Sequence, residues 1–117
     1  MSDTAVQVSQ QLLIDAADIS RRERVELHPG VTHTVLWRDG HDTAGRMWIE
    51  PGAEVPAHTH RRSEHHVWVV AGRARIGARE LGPGGYWHVP PGVEHHLEAC
   101  APQGCTLSYL FVRRSGD

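Results

Sequence analysis

The sequence predicts an all-β fold, a sandwich or barrel of short antiparallel strands. From Val25 onward apolar residues recur with period two and show no helical period. Turn signals interrupt them every few residues, and 12 Gly and 7 Pro are spread along only 117 residues. That length makes one domain, able to bury roughly two-thirds of the extended chain's surface.

The elements follow in order. The first 24 residues differ in character from the rest. Residues 11–16 suit an edge strand and residues 20–24 a helical turn, together an arm (1–24) that packs on the barrel or on a neighbouring molecule. Residues 31–38 are β-rich and end at Asp39-Gly40, a strong turn dipeptide. Residues 44–50 alternate Met47 and Ile49 against Arg46, Trp48 and Glu50, and Pro51-Gly52 then turns the chain. Residues 65–70 are closed by Gly72, residues 73–76 by Gly77, and residues 85–89 by Pro90-Pro91-Gly92. Residues 105–112 form the last strand. The barrel is thus expected over 25–114, with a short tail at 115–117 and eight to ten strands in all.

Composition removes several function classes. With 39% hydrophobic and 22% charged residues the chain has neither the depleted core nor the charge excess of a disordered segment. A net charge of -2 offers no basic field for phosphates, so nucleic acid is not an expected partner. All 12 basic residues are Arg, which excludes Schiff-base, P-loop and Ser–Lys chemistry, each of which needs a lysine amine. Met1-Ser2-Asp3-Thr4 lacks a basic region followed by an apolar segment, and apolar runs stay short throughout. Neither secretion nor membrane insertion is expected. Cys100 and Cys105 fit neither a CxxC redox pair nor a zinc knuckle, and free thiols in the cytoplasm are the expectation.

Ten histidines in this chain point to chemistry. His58 and His60 are two residues apart, and on a strand such residues share a face, so two imidazoles stand side by side at a spacing that suits one metal ion. Glu64-His65-His66 follows within one hairpin's reach. Farther on, the Pro90 to Gly92 turn aims His95 back across the sheet, so that four side chains from two hairpins can converge.

These two stretches resemble the two cupin motifs. Gly52, His58, His60 and Gly72 match the first, GxxxxxHxH followed by Glu, six residues and Gly. Gly84, Pro90, Gly92 and His95 match the second, GxxxxxPxGxxH followed by three residues and Asn. The motifs and their flanks span residues 52–99. Two positions depart from the pattern. The register set by Gly72 puts His65 where the family has Glu, while Glu64 fits only a shorter spacing from His60, and Ala99 stands in the place of Asn. Glu64 and His65 point to opposite faces of one strand, so only one of them enters the barrel. His65 shares a face with Val67 and Val69 and is preferred, with Glu64 as its alternative.

The flanks His28-Pro29-Gly30-Val31, Val35-Leu36-Trp37-Arg38-Asp39, Pro51-Gly52-Ala53 and Gly104-Cys105-Thr106-Leu107 are similar to cupin domains of ChrR-type anti-sigma factors and to small dioxygenases, acetylacetone-cleaving enzymes among them. The resemblance implies a cupin-type double-stranded β-helix, the jelly-roll barrel. It also implies one divalent ion (iron, manganese, zinc, nickel or copper) held by His58, His60, His65 and His95, with Glu64 in place of His65 as the alternative. It does not fix one reaction.

The favoured expectation is an enzyme acting on a small chelating oxygenated compound, by dioxygenase-like chemistry or by Lewis-acid enolisation and C–C cleavage. A metal or redox sensor and a non-catalytic small-molecule-binding cupin are the alternatives. An enzyme of this kind should have polar cavity walls. Four neutral imidazoles leave the ion's charge uncompensated, and two adjacent open positions would take a bidentate enolate or diketonate.

Surface or hydrogen-bonded roles are expected for His28, His33 and His41, outward positions for His66 and His96, and for His88 either the cavity mouth or the plain surface. Arg61-Arg62 should be solvated or steer an anion. Trp37, Trp48, Trp68 and Trp87 fall in predicted strands, where core or dimer packing is expected of them. Exposed sheet edges need cover, so a homodimer using residues 11–14 of the arm is expected.

Overall fold

A computed structural model describes residues 6–8 and 10–114; the first five residues of the arm, Ser9 and the tail at 115–117 lie outside the described residues. In chain order the arm contributes β1 (Val6–Val8), β2 (Gln11–Leu13) and the helix α1 (Ala16–Arg21). The barrel then follows as β3 (Val25–His28), β4 (Val31–Asp39), β5 (Asp42–Ile49), β6 (Glu54–His58) and β7 (Ser63–Gly72). It closes with β8 (Ala74–Ile76), β9 (Arg79–Leu81), β10 (Tyr86–Val89), β11 (His95–Ala99) and β12 (Cys105–Arg113).

Period-two sequences generate two facing antiparallel sheets. One has the order β10-β7-β12-β5-β4-β3, the other β6-β11-β8-β9, while β1 and β2 pair separately. Most neighbours, β10–β7, β7–β12, β12–β5, β6–β11 and β11–β8, are non-consecutive in the chain, as in a jelly roll. The predicted all-β jelly-roll class is therefore the observed one. Val67 and Val69 of β7, Leu107 and Tyr109 of β12, and Met47 and Ile49 of β5 point inward and meet Leu97 and Ala99 from the opposite sheet. Gly45 is required at the centre of β5, because the Tyr109 ring crosses directly over it and a Cβ there would also lie 2.6 Å from the Thr34 carbonyl. The Tyr109 hydroxyl thereby reaches His33 Nδ1 at 2.8 Å.

The arm departs from its predicted elements. The strand is cut short at Leu13 and the helix starts at Ala16, not at residue 20. Asp15 is the reason: its side chain accepts from the Ala16 N–H at 2.8 Å and caps the helix, which Ile19 then anchors by burial. Two of the four tryptophans lie outside the core, Trp37 at 41% and Trp68 at 40% exposure. Trp48 is covered from outside by the Arg24 guanidinium, 3.6 Å from its ring centroid. Cys100 and Cys105 are free thiols. Among the described residues no helix is long and apolar enough to cross a membrane.

Candidate metal centre

Both sheets contribute to one histidine cluster. His58 ends β6 and is paired across the ladder with His95, which begins β11, while His65 lies on β7 between Val89 and Phe111. His60 lies two residues past the end of β6, not on the strand as its spacing from His58 predicts. Its carbonyl accepts from the Gly92 N–H at 2.7 Å, tying the first histidine segment to the Pro-Gly turn before His95.

The rings of His58 and His95 are 4.0 Å apart, His60 and His65 4.4 Å, and His65 and His95 4.9 Å. Ring nitrogens of His58, His60 and His95 all lie within 4.8 Å of one another. Phe111 stacks on His65 at 3.8 Å and fixes its ring plane.

Backbone carbonyls set the tautomers. His58 Nδ1–H donates to the Pro56 carbonyl at 2.6 Å and His95 Nδ1–H to that of Val93 at 3.1 Å, which leaves each Nε2 with its lone pair. The Nε2 atoms of His65 and His95 are buried and have no hydrogen-bond partner among the described residues. A buried ring nitrogen left unpaired costs about 1–3 kcal/mol, and a divalent cation is a partner that suits it; His65 stands beside, not within, the three histidines whose nitrogens lie within 4.8 Å of one another.

Glu64 points to the opposite face. There its Oε2 accepts from His88 Nε2 at 2.7 Å and its Oε1 from Arg114 Nε at 2.5 Å, and these bonds hold the carboxyl below the usual carboxylate range. His66 faces the same way, as does His88, which belongs to that outer face and not to the cavity of the histidine cluster. His96 pairs with Glu54 at 3.4 Å, and His41, Arg61 and Arg62 are exposed. His28, expected in a surface or hydrogen-bonded role, lines the cavity.

That cavity, about 460 Å³, opens between the sheets over the four imidazoles. Its remaining walls are mainly apolar, among them Met47, Val55, Trp87, Leu107 and Phe111, and this corrects the expectation of polar walls. The inward positions of β5, β7 and β12 build both the core and the pocket, so what packs the one also lines the other. Phe111 and the Tyr109–His33 pair are absent from the sequence reading. Their signal was the period-two series Cys105, Leu107, Tyr109, Phe111, but only the β7–β12 register brings it against His65.

Burial, and after it the neighbouring imidazoles of His60, His95, His58 and His66, push the pKa of His65 from 6.5 down to about 3. His60 and His95 are lowered too, burial again first. In the metal-free chain the unfolded His65 gains its proton near pH 6.5 and the folded one only near pH 3, so in that window the unfolded state binds more protons. Stability is full above the window and is lost as pH falls through it. Urea unfolding of chelator-treated protein is expected to show a lower midpoint at about pH 5 than at about pH 7.5, and His65→Leu should narrow that difference.

The profile of the ChrR Cupin-like domain family matches residues 9–113. Among solved structures, the chain is similar to one from the Rhodobacter sphaeroides complex of SigE with the anti-sigma ChrR, at 26% identity and TM-score 0.71, over 80% of this chain and 50% of that one. It thus spans half the length of that relative. A Shewanella frigidimarina RmlC-like cupin is also similar, at 26% identity and TM-score 0.69 over 84% and 89% of the two chains. The polyketide cyclase RemF of Streptomyces resistomycificus shares the fold, at 19% identity and TM-score 0.72 over 90% and 87%. No curated protein sequence matches the chain.

Proposed function

Because the chain belongs to the ChrR Cupin-like domain family, we propose that it is a metal-dependent small cupin acting on a small chelating oxygenated compound. One observation carries the reading: four imidazoles converge from both sheets, with the Nε2 atoms of His65 and His95 buried and unpartnered. His58, His60, His65 and His95 would hold the ion. When bound, a divalent ion supplies Lewis acidity toward a carbonyl or enolate oxygen.

The chain's own residues do the remainder. Pro56 and Val93 carbonyls accept the Nδ1 protons of His58 and His95 and so direct each Nε2 into the cavity, and imidazole ligands would cancel none of an ion's charge. Met47, Trp87 and Leu107 receive the hydrocarbon part of a substrate and exclude water, which strengthens every electrostatic contact inside. A β-dicarbonyl or hydroxy-aromatic compound combines two adjacent oxygens with such an apolar body.

Metal analysis of protein purified without an affinity tag, followed by a turnover screen of those two compound classes, tests this. Stoichiometric metal with turnover supports the enzyme. Stoichiometric metal without turnover supports instead a sensor reading, favoured by the similarity to the chain from the SigE–ChrR complex, in which metal loading would be coupled to a partner surface. No metal at all would remove both.

Free Cys100 and Cys105 support a reducing, cytoplasmic setting. Leu12 and Leu13 on the arm are 41% and 52% exposed, which supports self-association through that strand. Light scattering at micromolar concentration is expected to give twice the chain mass of 13.0 kDa, and a monomer mass would count against the dimer.

A further inference from the structure

We propose that the outer face of the six-stranded sheet carries a second divalent-metal site, built by Glu64, His66 and His88. Register creates it: His88 of β10 stands directly opposite His66 of β7, and Glu64 lies two residues before His66 on the same face. One donor atom from each lies within 4.8 Å of the other two. Oε2 of Glu64 is 2.7 Å from His88 Nε2 and 3.4 Å from His66 Nε2. Zinc with nitrogen and oxygen ligands at about 2.0–2.1 Å in a tetrahedron needs them about 3.3 Å apart. The His66–Glu64 edge already has that length, and the His88–Glu64 edge is about 0.6 Å shorter than it.

The surroundings orient the donors. The Tyr86 hydroxyl meets His66 Nδ1 at 2.6 Å; a proton held on that nitrogen leaves the Nε2 lone pair toward Glu64. Trp68 and Tyr86 stack on the His66 ring at 6.2 and 6.0 Å between centroids. Arg114 engages Oε1 of Glu64 and leaves Oε2 to the two imidazoles. An ion entering here takes the place of the hydrogen bond that His88 Nε2 now gives Glu64, and a neutral His88 then carries its proton on Nδ1. Three protein donors leave a fourth tetrahedral position open to water or to a donor from another molecule. The site is separate from the inner cluster because β7 sends His65 through one face and Glu64 and His66 through the other.

Zinc titration of chelator-treated protein by calorimetry, with metal analysis, tests the proposal. Two classes are expected in the unaltered protein. His88→Ala should remove the outer class alone, and His58→Ala the inner class alone. Tyr86→Phe should weaken the outer class by about 10–100-fold, the usual cost of losing a bond that orients a ligand. Glu64→Gln keeps the side chain's shape and should also weaken it, so a fold lost in one variant does not decide the question. A single class abolished by His88→Ala upholds the outer site and sinks the inner one. A single class abolished only by His58→Ala, or an outer class that survives the combined His66→Ala and His88→Ala substitutions, overturns the proposal.

Discussion

His95→Ala is expected to strip stoichiometric metal from the inner cavity. His95 begins β11 directly opposite His58, its Nδ1–H is committed to the Val93 carbonyl, and its Nε2 is buried with no partner among the described residues. A ligand so placed contributes a direct bond to the ion, and its loss should exceed the 10–100-fold cost of losing a mere orienting hydrogen bond. No neighbour can replace it, since His96 turns to Glu54 on the other face. His58→Ala should behave alike. His65→Ala should weaken binding, whereas Glu64→Ala should leave the inner site near full occupancy, because its carboxylate is engaged outside by His88 and Arg114. Elemental analysis of each variant after dialysis, in protein that also carries His88→Ala to silence the outer face, gives the readout. Metal lost from Glu64→Ala but kept by His65→Ala would reverse the ligand assignment. Full metal in all four variants would end the metal-site reading.

What the sequence made legible was whatever local periodicity and turn chemistry control. The alternation of Met47 and Ile49 with polar neighbours is the inward face of β5, and the turns at Asp39-Gly40 and Pro51-Gly52 bound it. The same period-two rule separates His65 from Glu64 to opposite faces of β7. Other features were hidden because non-local contacts decide them. Phe111 reaches His65 only through a ladder between strands 46 residues apart in the chain. The apolar lining of the cavity follows from two sheets sharing one interior, which no single strand reveals. In the arm, a capping bond from Asp15 outweighed the strand-like residues before it. The cluster of Glu64, His66 and His88 needs the β7–β10 register, so the sequence reading placed its members only singly.

Gly72→Ala is expected to destabilise the fold by about 2–5 kcal/mol, the sum of left-handed backbone strain near 1–2 kcal/mol and overpacking near 1–3 kcal/mol. Gly72 has φ of 75°, and a Cβ there would fall inside contact distance of the Gly104 carbonyl oxygen, 2.9 Å from its carbon and 3.0 Å from the Cys105 Cα. Those are backbone atoms, and they cannot yield cheaply. The Gly104 carbonyl accepts from the Arg73 N–H at 3.1 Å, and on its other side a Cβ at Gly104 would already lie 2.5 Å from the Ile49 carbonyl oxygen. Gly104 is therefore wedged between β7 and β5, and pushing it loosens the pairing of Gly72 with Cys105 that begins the β7–β12 ladder. His65 and Phe111 face each other along that same ladder, so metal affinity should fall together with stability. Gly52 is the internal control. It shares the positive φ, at 80°, but a Cβ there meets nothing within 4 Å, so Gly52→Ala should cost only the backbone strain of about 1–2 kcal/mol. Urea unfolding of both variants at one pH measures the difference directly. Equal losses would mean that Gly72 serves its turn alone and that the contact with Gly104 relaxes without cost.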